Sequence, residues 1–469
     1  MSLAGTSLKF GTSGLRGLAV ELEGKAARDY TAAFLLHLQS LDALGEGKVF
    51  LGRDFRPSSF QIARDCAAAI AGFGLEPVDC GNLPTPALAL HAMAAGCAAI
   101  MVTGSHIPVD RNGLKFYLPT GEISKTDEAG IISALSRAQT AIVDAQIGDE
   151  ADAATERYYR RFVHVLPERA LAGWRIGVFE HSTVARDLLT RIMRHAGAEV
   201  ISLGRIDGFV AVDTEAFGDA VFAPLQNWVA AEKLDAIVSA DGDGDRPLLM
   251  DEAGQFVRGD VLGLLAAQFL GARTVVTPVT SNSAIERTGY FADVVRTKVG
   301  SPYVVAAMEA AHDGVVGFEA NGGTFVGEGI AIKGVPLAAL PTRDAVLPLL
   351  CALGLAAGQG KTVSELVAAL PLQVAMADRL QDIPGERSGA FLKKLEIDDN
   401  FAAQFFDGRG IADVSAIDGL QFRTLSGEMV HFRASGNAPE MRCYVESSTA
   451  DGAKSLLGWA MAAVAKQLT

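Results

Sequence analysis

The sequence predicts an α/β fold built from several units with parallel or mixed sheets. Short apolar runs typical of strands occur at 49–51, 97–102, 176–179, 236–240, 275–279 and 315–318. Helical patterns separate several of these runs, at 58–72, 184–196 and 304–311. This alternation indicates βαβ units, and most of the strand runs end in an unusual polar turn. Ligands of open α/β sheets bind at the carboxyl ends of strands, so these turns are where function is expected.

Composition narrows the class of protein. The chain has 469 residues, of which 49% are hydrophobic and 20% charged, with a net charge of −14. That size predicts several domains, and the acidic balance argues against general affinity for nucleic acid or anionic membranes. The longest apolar run, 345–357, is too short to span a bilayer and is interrupted by Pro348 and Gly354. Five scattered cysteines without metal-binding spacing predict reduced packing residues of a cytoplasmic protein.

Ser105 and His106 form the first candidate site. They follow the strand run at 97–102, so a hydroxyl nucleophile stands in a tight turn beside a titratable imidazole. Taken alone, the pair also fits a serine that caps the next element and a histidine that only packs. Three other loops favour the chemical interpretation.

Asp241, Asp243 and Asp245 alternate with glycines directly after the strand run at 236–240. The glycines let the backbone curl so that all three carboxylates face one centre, where they would repel one another without a cation. A hard divalent cation such as Mg²⁺ takes oxygen ligands of this kind. Arg246, the next residue, is expected to offset the negative charge and to hold a phosphate.

The segment from Arg433 to Arg442 resembles a phosphate cradle. Arginine offers a planar fork of donors, and Ser435, Gly436 and Asn437 add short side-chain and backbone donors. An ordinary hairpin turn with surface arginines fits this segment equally well when it is taken alone.

Glu319 and Asn321 stand in a glycine-rich turn after the strand run at 315–318. A carboxylate and an amide at this spacing suit the vicinal hydroxyls of a sugar. The alternative is a polar turn without a ligand.

Together these loops resemble those of the α-D-phosphohexomutase superfamily, and most of all the bacterial phosphomannomutase/phosphoglucomutase enzymes. The chain also carries the family's opening motif, Gly11-Thr12-Ser13-Gly14-Leu15-Arg16-Gly17, and the other motifs follow in the family's order over essentially the whole length. The resemblance implies four domains in a heart-shaped arrangement, three similar mixed-sheet α/β domains and a smaller α+β carboxyl-terminal domain related to the TATA-box-binding-protein fold. With the polar segments near 150, 251–254 and 358–361, it predicts domains at 1–150, 151–253, 254–368 and 369–469.

The resemblance also implies roles for residues. Ser105 would carry a phosphoryl group and would bind Mg²⁺ together with Asp241, Asp243 and Asp245. The catalytic candidates near the transferring group are Arg16, Lys115 and Lys298, with His106 beside the serine. The residues implied in substrate binding are Arg246, Glu319, Asn321, Arg433, Ser435, Gly436, Asn437 and Arg442.

The implied reaction interconverts a hexose 1-phosphate and its 6-phosphate through a hexose 1,6-bisphosphate, which also primes the serine. Mannose is the first expectation for the hexose and glucose the second. The partner is then a small sugar phosphate, and the protein is expected to be a monomer or homodimer. Phosphoryl transfer depends on positioning and charge stabilisation, which the cation, the arginine and the lysines would supply.

The chain departs from the family pattern at several positions. In the loop that carries Ser105, residues 103–111 and called the serine loop below, Gly104 and Ile107 replace an alanine and an asparagine. In the loop that carries Glu319 and Asn321, residues 317–323 and called the sugar loop below, Gly323 replaces a common histidine. Asn437 and Ala438 stand where threonine and glutamate are typical. These departures leave open a weakly catalytic sugar-phosphate-binding protein, and a Mg²⁺-dependent phosphatase is a further alternative. The stretch Phe318-Glu319-Ala320-Asn321-Gly322 is also similar to that of acetylglucosamine-phosphate mutases, so a mutase for amino-sugar phosphates stays open.

Overall fold

The computed structural model describes residues 6–11, 13–138, 146–218, 220–435 and 439–468. The chain divides into two compact units. One unit comprises Met1–Val276 and Gly300–Val367, and the other comprises Thr277–Val299 and Ala368–Thr469. The first unit contains three mixed sheets, and the second contains an antiparallel sheet.

The first sheet is antiparallel on one side and parallel on the other. Its strands, in spatial order, are Lys9–Phe10, Leu15–Leu18, Arg111–Leu118, Ala98–Val102, Lys48–Arg53, Glu76–Asn82 and Gly148–Asp149, with Gly121–Glu122 paired to Arg111–Leu118. The accompanying helices are Ala19–Leu22, Lys25–Ser40, Ser59–Gly72, Thr85–Ala94 and Lys125–Ala134, followed by a 3₁₀ turn at Leu135–Arg137. The helices Lys25–Ser40 and Ser59–Gly72 bury aliphatic and aromatic side chains against one face of this sheet.

The second sheet has the order Glu199–Leu203, Arg175–Phe179, Ala236–Ala240, Pro247–Asp251 and Phe256–Val257. The first three strands are parallel and the rest antiparallel. The helices are Ala151–Phe162, Arg186–His195 and Leu225–Glu232, with a 3₁₀ turn at Ala220–Phe222. The predicted boundary after residue 253 falls in a hairpin turn, because Phe256–Val257 pairs with the strand before it.

The third sheet includes the strand Thr274–Pro278, of which residues 274–276 belong to the first unit, followed in that unit by Val315–Phe318, Thr324–Val326 and Leu340–Asp344. The first pair is parallel and the others antiparallel. A small ladder joins Ala331–Ile332 to Val335–Pro336. The helices are Gly259–Phe269, Ser301–Glu309, Val346–Gln359 and Val363–Ala368.

The second unit has a wholly antiparallel sheet. Its order is Val374–Leu380, Met441–Ser447, Met429–Ala434, Leu420–Thr424 and Ile411–Ser415. The helices are Gly385–Ile397, Asp399–Phe405 and Ala450–Leu468, and the unit also includes the 3₁₀ turn Glu286–Thr288 and the strand Asp293–Thr297. Phenylalanine side chains such as Phe406, Phe422 and Phe432 form the centre of its core.

The predicted α/β class, with mixed sheets and an α+β part at the carboxyl end, is confirmed. The helices expected at 58–72, 184–196 and 304–311 are Ser59–Gly72, Arg186–His195 and Ser301–Glu309. The polar segment near 150, where a domain boundary is predicted, forms the edge strand Gly148–Asp149 and the start of the helix Ala151–Phe162. The domain bounds stay a prediction.

All five cysteines of the chain, Cys66, Cys80, Cys97, Cys351 and Cys443, are buried and free. Burial raises the pKa of the Cys66, Cys80 and Cys443 thiols to about 12. Among the described residues, no helix is both long enough and apolar enough to cross a membrane.

Candidate active site

The serine loop follows the strand Ala98–Val102, which is buried along its whole length. Ser105 is 1% exposed and has a left-handed backbone, with φ of 52°. Its backbone N–H donates to Thr103 Oγ1 at 2.7 Å. A non-glycine residue in this conformation costs about 1 kcal/mol or more, so the surrounding contacts must enforce it.

Arg56 supplies most of those contacts. Its guanidinium lies in a fully buried ion pair with Asp54, at 3.2 Å. It donates to four backbone oxygens of the serine loop, those of Ser105 at 2.9 Å, Ile107 at 2.5 Å, Pro108 at 2.6 Å and Arg111 at 2.9 Å. A buried cation is thus the scaffold on which the loop bends.

The three aspartates follow the buried strand Ala236–Ala240. Gly244, with φ of 70°, permits the turn that returns Asp245 towards Asp241. Asp241 Oδ1 accepts the backbone N–H groups of Asp245 and Arg246, both at 3.1 Å. Ser105 Oγ donates to Asp241 Oδ2 at 2.7 Å, so the serine hydroxyl faces the acidic cluster directly.

Lys115 reaches the same cluster from the strand Arg111–Leu118. Its Nζ lies 2.6 Å from Asp243 Oδ2 and 2.6 Å from Asp245 Oδ2. Burial lowers the pKa of Lys115, but the two carboxylates raise it more, so the ammonium group stays charged. Thr85 Oγ1 also donates to Asp243 Oδ2, at 2.6 Å.

Arg343 comes from the strand Leu340–Asp344 and joins two parts of the site. Its Nε and Nη2 donate to Asp245 Oδ2 at 3.0 and 2.8 Å, and its Nη1 donates to Glu319 Oε2 at 2.8 Å. Burial raises the pKa of Asp245, but Arg343 and Lys115 outweigh it and hold that pKa well below its usual value. The cluster and the sugar loop are therefore connected by one guanidinium.

The sugar loop lies between the strands Val315–Phe318 and Thr324–Val326. Glu319 and Asn321 are 5% and 7% exposed. The Glu319 N–H donates to the Gly323 carbonyl at 3.1 Å, and Asn321 Oδ1 accepts the Gly323 N–H at 3.0 Å. These bonds fix the turn, and no hydrogen bond from the Asn321 amide N–H groups occurs among the described residues.

Arg16 and Arg246 place positive charge near His106, the residue that follows the serine. Burial and the nearby guanidinium groups of Arg246 and Arg343 lower the pKa of Arg16 to about 10, which leaves it protonated at neutral pH. Within the described residues no side-chain hydrogen bond or ion pair engages the Arg16 guanidinium. His106 Nδ1 lies 3.3 Å from Ser105 Oγ, and Arg246, burial and Arg16 hold the pKa of this imidazole well below its usual value.

The acidic cluster passes a test for cation binding. One carboxylate oxygen from each of Asp241, Asp243 and Asp245 lies within 4.8 Å of the others. Asp243 Oδ1 and Asp245 Oδ1 are buried and have no hydrogen-bond partner in the described chain. Buried carboxylate oxygens without donors carry a large free-energy cost, which a hard divalent cation would remove. The residues present therefore fit such a cation.

The second unit carries the other predicted residues. Arg433 and Arg442 are direct partners on neighbouring antiparallel strands, and Arg433 Nε donates to Asp418 Oδ2 at 2.6 Å. The same Asp418 oxygen accepts the N–H of Val299, the residue after Lys298, at 3.0 Å. Asp418 thus holds the segment of Lys298 close to Arg433.

The turn that joins these two strands is described at residues 435, 439 and 440. Ser435 N–H donates to the Glu440 carbonyl at 2.9 Å, and Arg442 Nη2 lies 3.4 Å from Glu440 Oε2. Gly436, Asn437 and Ala438, predicted as phosphate-binding or as departures from the family, lie outside the described residues.

In the first unit, the structure connects Ser105, His106, Lys115 and the three aspartates by direct contacts, with Glu319 joined through Arg343. The sequence reasoning did not find Arg343, Arg56 or Thr85. Two departures from the family pattern could have indicated the arginines. Gly104 and Gly323 stand where the family has a residue with a side chain, and each glycine faces a buried arginine.

The Ser105 hydroxyl is buried and faces three carboxylates that can hold a divalent cation. Arginine and lysine side chains lie beside this group, and the arrangement is that of a phosphoryl-transfer enzyme. Comparison with known proteins identifies which one. The family model described as phosphoglucomutase/phosphomannomutase, alpha/beta/alpha domain I, matches residues 7–141, and that for domain III matches residues 258–374.

Relatives match along nearly the whole chain. A phosphomannomutase of Sinorhizobium fredii (strain NBRC 101917 / NGR234) is 47% identical, over 97% of this chain and 98% of the relative. A phosphomannomutase of Salmonella muenchen is 41% identical, over 96% and 94%. A crystal structure of a phosphoglucomutase/phosphomannomutase family protein from Burkholderia thailandensis has the same fold, with a TM-score of 0.77, 21% identity and coverage of 97% of each chain. The chain belongs to the phosphoglucomutase/phosphomannomutase family and is a phosphohexomutase.

Proposed function

We propose that this enzyme interconverts mannose 1-phosphate and mannose 6-phosphate, with Ser105 as the phosphoryl carrier. The observation that carries the proposal is the position of Ser105 Oγ, 2.7 Å from Asp241 and bent towards the aspartates by a left-handed backbone. Glucose phosphates are the second expectation. The identities of 47% and 41% to relatives named phosphomannomutase support mannose as the hexose.

The proposed cation is Mg²⁺, held by Asp241, Asp243, Asp245 and an oxygen on Ser105. When bound, it would neutralise charge on the transferring phosphoryl group. Lys115 already donates to the Oδ2 atoms of Asp243 and Asp245, which leaves their Oδ1 atoms as the oxygens for the cation. The chain's own part is to fix these oxygens before substrate arrives.

In the first half-reaction, a sugar hydroxyl attacks the phosphorus on Ser105. The bond between phosphorus and Ser105 Oγ breaks, a bond to the sugar oxygen forms, and a hexose 1,6-bisphosphate results. The attacking hydroxyl gives up its proton, and Ser105 Oγ takes up a proton as the phosphoryl group leaves it. His106 is neutral in the free enzyme and is our candidate to accept the proton of the attacking hydroxyl, because a bound phosphoryl dianion would offset the field of Arg246 that now depresses its pKa.

Arg16 and Arg246 are proposed to hold the transferring phosphoryl group, and Glu319 and Asn321 the sugar hydroxyls. Lys298 stays a predicted catalytic residue near the transferring group. Arg433, Ser435 and Arg442, with Gly436 and Asn437, are proposed to hold the phosphate that is not being transferred. Arg433 and Arg442 face the same side of their hairpin because they are paired across the ladder. Two guanidinium groups there suit a phosphate that arrives on either sugar carbon.

Phosphorus NMR tests the proposal. The enzyme with Mg²⁺, mannose 1-phosphate and a trace of hexose 1,6-bisphosphate is expected to convert the 1-phosphate signal to a 6-phosphate signal without inorganic phosphate. The variant Ser105→Ala is the matched control and is expected to leave the spectrum unchanged. Release of inorganic phosphate would instead identify a phosphatase, and conversion of only glucose or glucosamine phosphates would reject mannose.

A further inference from the structure

Position 323 of this chain has no room for a side chain. A Cβ built on Gly323 would lie 2.6, 2.7 and 2.9 Å from Cδ, Cγ and Cβ of Arg343. The backbone itself would accept any residue there, because φ of Gly323 is not positive, in contrast to that of the neighbouring Gly322. The three atoms nearest to the added Cβ all belong to the side chain of Arg343.

Arg343 cannot readily move aside. The close approach extends back to its Cβ, so a change of the outer torsions would not remove it. The next residue, Asp344, accepts the N–H groups of Val346 and Leu347 at 2.9 and 3.2 Å and the hydroxyl of Tyr158 at 2.8 Å. The backbone at Arg343 is thus fixed by the start of the helix Val346–Gln359.

The guanidinium end of Arg343 is also fixed, between two carboxylates. It donates to Asp245 on one side and to Glu319 on the other, and its side chain is 5% exposed. An arginine fork that binds two carboxylates sets the distance between them, which a lysine with one ammonium cannot do.

We propose that Arg343 is a positioning residue that sets Glu319 in register with the acidic cluster, and that Gly323 is a glycine because Arg343 occupies the space of its side chain. This inference rests on the proposed function, since Glu319 is taken to bind the sugar. Arg343 itself acts through Glu319 and Asp245.

A double-mutant cycle tests the packing. Thermal unfolding is measured in EDTA for the parent, Gly323→Ala, Arg343→Gly and the double variant, so that no cation contributes. Glycine is chosen at 343 because alanine would keep the Cβ that lies 2.9 Å from the added atom. Gly323→Ala is expected to lower the midpoint by about 3 °C in the parent and by less than about 1 °C when Arg343 is absent. Gly358→Ala, at an open glycine of the helix Val346–Gln359, is the control and is not expected to lower it. Equal shifts in both backgrounds would overturn the proposal.

Kinetics test the positioning role. Arg343→Met and Glu319→Gln are each expected to lower kcat/KM for mannose 1-phosphate about 10- to 100-fold. The kcat/KM of their double variant is expected to lie within about 3-fold of that of the less active single variant, because both changes remove the same contact. Arg343→Lys, which keeps the charge, is expected to fall between Arg343→Met and the parent. Losses that multiply would show that Arg343 does not act through Glu319.

The two tests separate this inference from the proposed function. If the parent enzyme isomerises no hexose phosphate, the proposed function fails, while the unfolding cycle still decides whether Arg343 excludes a side chain at 323. If the parent is active and the cycle shows no coupling, only the inference fails.

Discussion

The serine loop and the sugar loop reach a similar end by different means. Each has a glycine that faces a buried arginine, Gly104 facing Arg56 and Gly323 facing Arg343. Arg56 donates mainly to backbone carbonyls and so shapes the chain, whereas Arg343 donates mainly to carboxylates and so places charge. A buried arginine can therefore serve either as a scaffold for the backbone or as a spacer between functional groups.

The two loops should differ most in chemistry. Ser105→Ala removes the proposed phosphoryl carrier and is expected to lower kcat at least about 10⁴-fold. Glu319→Gln weakens one set of sugar contacts and is expected to lower kcat/KM about 10- to 100-fold. Initial rates with hexose 1-phosphate, coupled to detection of the 6-phosphate, measure both. Ser40→Ala, at an exposed serine that bonds only to a backbone carbonyl, is expected to change the rate less than about 2-fold. Comparable losses at Ser105 and Glu319 would contradict the division of roles.

Arg56 should matter for stability more than its sequence neighbour Arg53. Arg56→Met leaves Asp54 buried without its cation and four carbonyls without a donor, and we expect a loss of about 3–5 kcal/mol in the free energy of unfolding. Arg53 bonds to a partly exposed Asp79, so Arg53→Met is expected to cost about 1 kcal/mol or less. Urea unfolding gives both values.

Amide hydrogen exchange locates the damage. In Arg56→Met the exchange of residues 103–111 is expected to rise selectively, because these residues hold the carbonyls that Arg56 binds. Unchanged exchange in that segment would show that the loop keeps its shape without Arg56.

His181 is expected to make the free energy of unfolding depend on pH. It contacts the end of the strand Ala236–Ala240, which precedes the acidic cluster. His181 Nε2 is hydrogen-bonded to the Ala240 carbonyl at 2.9 Å, and burial lowers the pKa of this imidazole to about 4. Between pH 6.5 and 4, His181 becomes protonated in the unfolded chain but stays neutral in the folded chain. The stability that neutral His181 contributes is therefore complete above pH 6.5 and decreases as the pH falls. The loss approaches about 3 kcal/mol near pH 4.

His181→Gln is the matched variant for a pH titration. The free energy of unfolding of the parent, relative to this variant, is expected to fall with decreasing pH over that window. Parallel pH curves for the two proteins would show that His181 does not titrate differently on folding.

The smallest expected effect is at Gly104. A Cβ there would lie 2.6 Å from Cζ and Nε of Arg56, which its four carbonyl partners hold in place, so Gly104→Ala is expected to cost about 1–3 kcal/mol. Gly358→Ala, in an open helix position, is expected to stabilise by up to about 1 kcal/mol. Urea midpoints are expected to shift in opposite directions for these two glycine-to-alanine substitutions. Shifts in the same direction would show that Arg56 moves aside for the added Cβ.

The sequence predicted those parts of the site that depend on local spacing. Ser105 and the aspartates could be found because each stands directly after a strand run and because alternate aspartates with glycines form one turn. Arg343 could not, because an Arg-Asp pair at the end of a strand has no meaning until the third sheet is folded. The hairpin at 251–254 was also beyond local reasoning, since a polar glycine turn has the same sequence pattern in a hairpin as in a linker.

The burial of every cysteine makes this protein convenient for labelling. The thiols of Cys66, Cys80, Cys97, Cys351 and Cys443 are shielded from solvent, and burial holds the pKa of most of them far above neutrality, so thiolates that react with maleimides are scarce in the native state. A fluorophore attached at one introduced surface cysteine in each unit would therefore report the distance between the units, without prior removal of native thiols. Single-molecule energy transfer during turnover becomes accessible with only two substitutions.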